Sequence, residues 1–185
     1  MSIEQKRLTA EDLWKMPEVP GKRYELVDGE LLEMPGAGGQ HMTMMVLIFK
    51  LIEAFVIEHD LGIAYPDGLA YIIARNPDRV RIPDVSFVTH DRVPEAGPPE
   101  GFWPVAPNLA VEIVSPNDSA GELHYKVRDY LTSGVEMVWV VWPKSQVVSV
   151  HTPGAAGREL ELHDELDGSD LLPGFRIPVS TLFRA

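Results

Sequence analysis

Cysteine is absent from the 185 residues, which excludes a disulfide framework, a thiolate nucleophile and a sulfur-built zinc site. No stretch approaches about eighteen uninterrupted apolar residues, so neither a membrane-crossing helix nor a membrane partner is expected. The opening Met1-Ser2-Ile3-Glu4-Gln5-Lys6-Arg7 lacks the apolar core of a signal peptide, and a cytoplasmic chain is the expectation. Internal repeats and low-complexity segments are missing as well. The length suits one domain with a proper core and is short for two.

Bases are scarce: the formal net charge is −12. Between Glu159 and Asp170 stand Glu159, Glu161, Asp164, Glu165, Asp167 and Asp170 and no base, so half of that charge sits in one short stretch. Such acidity argues against a nucleic-acid partner, whose binders carry a basic footprint. It is compatible with one where bound metal supplies part of the positive charge. Arg75, Arg79 and Arg81 lie close together just before Pro83-Asp84. Both clusters read first as solvated surface.

What is present begins with Thr9, a cap for a short helix over Ala10 to Trp14. Tyr24 to Val27 and Glu30 to Glu33 flank Asp28-Gly29, a two-residue hairpin signal. Met44, Leu47, Ile48, Leu51, Phe55 and Ile57 set out a helix from about Gln40 to Asp60, ending near Gly62. Strands are expected over Leu69 to Ala74 and Asp84 to Thr89. A proline-rich loop follows from Asp91 to Pro107. Then come a strand from Leu109 to Val114 and a helix from Ser115-Pro116-Asn117-Asp118 to about Ser133, stopped by Gly134. A second hairpin, Met137 to Val141 with Gln146 to His151, and a short helix near Val179 to Phe183 close the chain. The order fits a single mixed α/β domain.

Glu112 is the anomaly in this pattern. It interrupts Leu109-Ala110-Val111-Glu112-Ile113-Val114, an otherwise aliphatic run that reads as a strand covered on both faces. A carboxylate there loses its hydration at a cost of several kcal/mol, roughly, unless something replaces the water. An internal Arg or Lys, a proton or a metal ion could do so. Asp84, Ser86 and Val88 share one face of their strand, and Ala110, Glu112 and Val114 share one face of theirs. If the strands are neighbours, Asp84 and Glu112 converge within reach of one hard divalent cation. In the helix that follows, Leu123, Val127, Tyr130 and Leu131 form an apolar stripe. Lys126 falls about 60° from Leu123, beside that stripe, so its stem could lie along the sheet and its ammonium approach the acids. Arg128 and Asp129 point toward solvent. His59, His90, His124, His151 and His163 show no ligand spacing, and Gly36-Ala37-Gly38-Gly39 lacks the lysine of a phosphate loop.

Pro83-Asp84, Glu112-Ile113-Val114-Ser115-Pro116, Lys126, Tyr130, Gly134 and Trp139, with Tyr24 to Glu30 and His41 upstream, resemble the Uma2 family of PD-(D/E)XK nuclease-like proteins. The resemblance runs from about Leu8 to Phe183. It implies a restriction-endonuclease-like α/β core, a mixed β-sheet flanked by helices. The strand lysine of the wider nuclease pattern would stand two residues after Glu112, where this chain has Val114; in Uma2-like proteins it has moved to the next helix, as Lys126.

By that resemblance Asp84 and Glu112 would ligate Mg²⁺ or Mn²⁺, with the carbonyl of Ile113. Lys126 would orient or help deprotonate the attacking water, and Glu25 would reach the ion directly or through water. His41, at a helix start, would cap the helix or contact a phosphate. The implied activity is metal-assisted hydrolysis of DNA as an endonuclease, with nucleic acid as partner and a homodimer that cuts two strands. For that interface Trp103, Trp139 and Trp142 are candidates, against the plainer reading of Trp139 and Trp142 as core. The alternatives are a catalytically silent nuclease-fold protein that binds nucleic acid or protein, and hydrolysis of RNA or another phosphodiester.

Overall fold

The computed structural model describes residues 7–116 and 118–184. Met1 to Lys6, read above for a signal sequence, Asn117, read as part of a helix start, and Ala185 lie outside the described residues.

Helix α1 (Ala10–Trp14) opens on a capping box in which Thr9 and Asp12 exchange side-chain and backbone hydrogen bonds. Strands β1 (Arg23–Val27) and β2 (Glu30–Met34) pair antiparallel about Asp28-Gly29. Both turn residues have positive φ, 52° and 80°, as a primed two-residue turn requires. Helix α2 (Gly39–Glu58) follows, then β3 (Gly62–Pro66), β4 (Tyr71–Ala74), β5 (Arg79–Arg81) and β6 (Val85–Thr89). Beyond the proline-rich loop come β7 (Leu109–Ile113), α3 (Ala120–Thr132), β8 (Met137–Trp142) and β9 (Val147–His151). Three further strands, β10 (Arg158–Leu160), β11 (Glu165–Gly168) and β12 (Leu172–Pro178), complete the set.

Six strands form the main sheet in the order β10-β9-β8-β7-β6-β3, with β7 and β8 parallel and the other pairs antiparallel. The parallel pair needs a crossover, which α3 supplies. Side chains alternate across the sheet. Val85, Phe87, Val111 and Ile113 face α2 through Met44, Met45, Ile48, Ile52 and Val56. Val88, Ala110, Val138 and Val140 face α3 through Val127 and Tyr130. The second sheet, β2-β1-β5-β4, lies on the α3 side, where Tyr71 and Ile73 of β4 join that cluster.

Several expectations change. Helix α3 starts later, at Ala120 with Ser119 as its cap, and ahead of it Asp118 accepts the Ser115 N–H. The C-terminal helix is a 3-10 turn, Val179–Phe183. The acidic stretch is not uniformly surface: Leu160 and Leu166 stand among its carboxylates and enter the core. Trp103 and Trp139 are buried in the core, and Trp142 is half-buried with its indole N–H on Ser149. By length and hydropathy α2 could cross a bilayer, yet its Met44-to-Val56 face packs on the sheet.

Gly62 shows how closely β3 approaches β6. A Cβ there would stand 2.1 Å from the Val88 carbonyl oxygen and 2.9 Å from Thr89 Cα. Both are backbone atoms of the paired strand and cannot swing away. Gly62→Ala should destabilise the fold by about 1–3 kcal/mol, read as a lower urea midpoint.

Candidate active site

The register of β6 on β7 sets Val85 opposite Val111 and Ser86 opposite Ala110. Continued outward, it brings Asp84 opposite Glu112 and Pro83 opposite Ile113. The two acids therefore share a face, as the alternation predicts. Pro83 has no N–H to extend the ladder. The Ile113 N–H is taken by a side chain instead of a ladder carbonyl: Asp84 Oδ2 accepts it at 2.6 Å. Asp84 Oδ1 meets His41 Nε2, from the first turn of α2, at 2.9 Å, and His41 Nδ1 lies 3.3 Å from Ser115 Oγ.

Glu112 is 6% exposed and faces α3. Lys126 Nζ donates to its Oε2 at 2.8 Å, and Tyr130 OH donates to its Oε1 at 2.7 Å. The two donors stand at i and i+4, one above the other on the helix. Burial is the main cause that pushes the Glu112 carboxyl up to about 7; Lys126 opposes it, while Asp84 and Glu25 add to it. Burial works against the Lys126 ammonium, but Glu112, Glu25 and Asp84 outweigh it and hold its pKa above the ordinary lysine range.

Behind this pair runs a chain of ions. Lys126 Nζ is 3.2 Å from Glu25 Oε1, which also accepts the Ile82 N–H, and Glu25 Oε2 takes Arg81 at 2.7 Å. Arg81 reaches Asp129 with its other terminal nitrogen, and Asp129 and Asp28 both bind Arg79. Burial alone would raise the Glu25 pKa; Lys126, Arg81 and the Ile82 N–H lower it instead. Nε of Arg81 has no partner among the described residues, an unsatisfied donor that burial makes costly.

The structure thus brings together Asp84, Glu112, Lys126, Glu25, Ile113 and His41 around one cleft of about 260 Å³. It also corrects two sequence expectations and gives Glu25 its neighbours. Glu25 lines the cleft and accepts from Arg81, Lys126 and the Ile82 N–H, one donor more than Glu112 or Asp84. Asp129 is 4% exposed rather than solvent-facing, because β5 brings Arg79 and Arg81 against that side of α3. Arg81 is buried for the same reason. Tyr130 is read from the sequence as part of the apolar stripe and of the family resemblance, with no role of its own. Its place one helical turn after Lys126 is the signal that could have given it a second role.

Among the described residues no three His, Asp or Glu side chains are arranged to cage a metal. The set that could hold one is a pair, Asp84 and Glu112, with the Ile113 carbonyl. A carboxylate offers about four lone-pair sites, and each of these two acids accepts only two donors. Magnesium commonly takes one or two carboxylates and completes its shell with water and phosphate. The donor set fits a hard divalent cation.

A pH dependence follows. Folded Glu112 titrates near 7, against an ordinary 4.5, so the folded state keeps a proton that the unfolded state gives up. Stability should fall as pH rises from about 4.5 through 7, by up to about 3 kcal/mol. His41, raised chiefly by its bond to Asp84, adds to the same fall. In EDTA the thermal midpoint of wild type should drop between about pH 5 and 8 more steeply than that of Glu112→Gln. Parallel curves would contradict the raised carboxyl.

A mixed sheet between helices, with an acid pair at the edge where β6 gives way to Pro83-Asp84, defines a restriction-endonuclease-like core. The Uma2 family model, described as a putative restriction endonuclease, matches residues 10–180, and the chain belongs to that family. A solved structure from Anabaena variabilis, described as a putative nuclease belonging to DUF820, superposes with a TM-score of 0.84. The two are 22% identical over 95% of this chain and 97% of that one. No protein of curated function matches the sequence.

Proposed function

We propose that this protein is a metal-dependent endonuclease that hydrolyses DNA phosphodiester bonds. One observation carries the reading: Asp84 and Glu112, opposite one another where β6 begins beside β7, line a single cleft with Lys126, whose ammonium donates to Glu112. The family supports nuclease chemistry at the coarser level.

Asp84 and Glu112 are the residues that would hold Mg²⁺ or Mn²⁺, with the Ile113 carbonyl as a third oxygen. A divalent cation bound there supplies Lewis-acid stabilisation of the phosphate and acidifies the attacking water. The remaining work falls to the chain itself. Of the two roles open to Lys126, its raised pKa supports the cationic one: it orients the water and steadies developing negative charge rather than taking a proton. Glu25 positions that ammonium, and Tyr130 fixes the Glu112 carboxylate. His41, held by Asp84, is suited to meet a substrate phosphate. No covalent intermediate is needed. Two copies, each cutting one strand, belong to the same reading, and sedimentation of a dimer would support it.

Wild-type protein should nick supercoiled plasmid with Mg²⁺ or Mn²⁺, and Lys126→Met should slow nicking by about 10²–10³-fold. One observation favours the catalytically silent alternative: seven carboxylates line the cleft against Arg23, Arg81, Lys126 and His41. If wild type cuts neither DNA nor RNA with either ion, the silent reading replaces this one. Cleavage of RNA alone would move the substrate class.

A further inference from the structure

We infer that the bound strand continues out of the acidic cleft into a second depression beside α3, where Arg7, Arg128 and Tyr125 hold a flanking single-stranded stretch. This rests on the nuclease reading above. The depression measures about 510 Å³ and shares Leu32, Arg81 and Glu122 with the cleft, so the two open side by side. Its size falls within the range of about 300–1,000 Å³ typical of small-ligand clefts.

Charge separates the two. The cleft has an excess of carboxylates and repels phosphate until a cation is bound. In the second depression four arginines, at 7, 79, 81 and 128, balance four carboxylates. Arg79 and Arg81 are spent on Asp28, Asp129 and Glu25. Arg7 and Arg128 line the same depression, and neither forms a salt bridge among the described residues, so their N–H groups remain for phosphate oxygens.

Tyr125 adds the second requirement of a strand-binding surface. It is 55% exposed, and the Arg128 guanidinium lies 4.9 Å from its ring centroid. An exposed ring with a guanidinium against it forms a flat platform on which an unpaired base can stack. Bases within a duplex keep their faces covered by their neighbours. The platform therefore selects an unpaired strand.

Fluorescence anisotropy tests this with 5′-labelled oligothymidylates of about 20 and about 4 nucleotides, the latter too short to fill both depressions. Ca²⁺ replaces Mg²⁺. Wild type should bind the longer probe more tightly. Tyr125→Ala should weaken the longer probe by about tenfold, the scale of one stacked base. The Arg7→Ala/Arg128→Ala double variant should lower the slope of log affinity against log salt by about 1.4, at ~0.7 per phosphate contact on a single strand. Circular dichroism checks that these exposed-site variants fold. Wild-type affinities from the two variants, equal binding of both probes, or no binding of either would overturn the inference. Binding lost as expected, from a wild type that cleaves nothing, would support this surface and count against the nuclease reading alone.

Discussion

Glu112→Gln is expected to abolish the calorimetric signal of Mn²⁺ binding and to slow DNA cleavage by about 10³-fold, the rate equivalent of about 4 kcal/mol. The substitution keeps the size of the side chain and one oxygen for Tyr130 or Lys126, so the fold should survive it. What it removes is half of a two-carboxylate pair, and the remaining Asp84 cannot supply a second anionic oxygen donor from the same direction. Loss of the negative charge also leaves Lys126 with Glu25 as its one close carboxylate. Undiminished Mn²⁺ heat in Glu112→Gln would remove the acid pair from the mechanism. Retained binding with cleavage lost would instead assign Glu112 to orienting Lys126.

The second large effect concerns stability. Arg81→Met should lower it by about 3–5 kcal/mol, because Glu25 and Asp129 would both remain buried with a partner removed. At about 2–4 °C per kcal/mol for a domain of this size, the thermal midpoint should fall by roughly 6–20 °C. Lys126 and Arg79 would still reach the two acids and keep the loss from being larger. The same variant should lower cleavage beyond what unfolding accounts for, since Arg81 holds Glu25, which with Glu112 contacts Lys126. A midpoint within about 2 °C of wild type would mean that the ion chain adds nothing net.

These two experiments separate the layers of the site. Glu112 stands on the main sheet, whereas Arg81 comes from the second sheet and ties β1 and β5 to α3 through Glu25 and Asp129. The sheet β2-β1-β5-β4 has few apolar residues facing Lys126 and Asp129; charges hold that seam. Replacement of such an ion chain by well-packed apolar residues is often neutral or stabilising, so its presence is weak evidence for a stability role. Its geometry is better matched to holding Lys126 at a fixed place beside Glu112.

Much of this was legible in the sequence. Glu112 stood out because an acid within an aliphatic strand needs a partner, and strand periodicity put Asp84 on a matching face. Helical spacing put Lys126 beside the apolar stripe of α3, within reach of the acids. The Asp28-Gly29 turn, the Thr9 cap and the α2 stripe are local signals, and each follows from residues a few positions apart. Short-range periodicity determined these features because the backbone repeats of strand and helix alone decide which side chains share a face.

Tertiary structure alone decided the rest. That Glu25 meets Arg81 depends on β5 lying beside β1, a pairing between segments more than fifty residues apart that includes Leu26 opposite Val80. Arg81 and Asp129 each read as surface by themselves; burial came from their contact with one another. The strands β3 and β10 to β12 carry weak local patterns and are stabilised by the edges and core they cover. A charged side chain has no intrinsic preference for the interior, so its fate rests on which counter-charge the folded chain delivers to it.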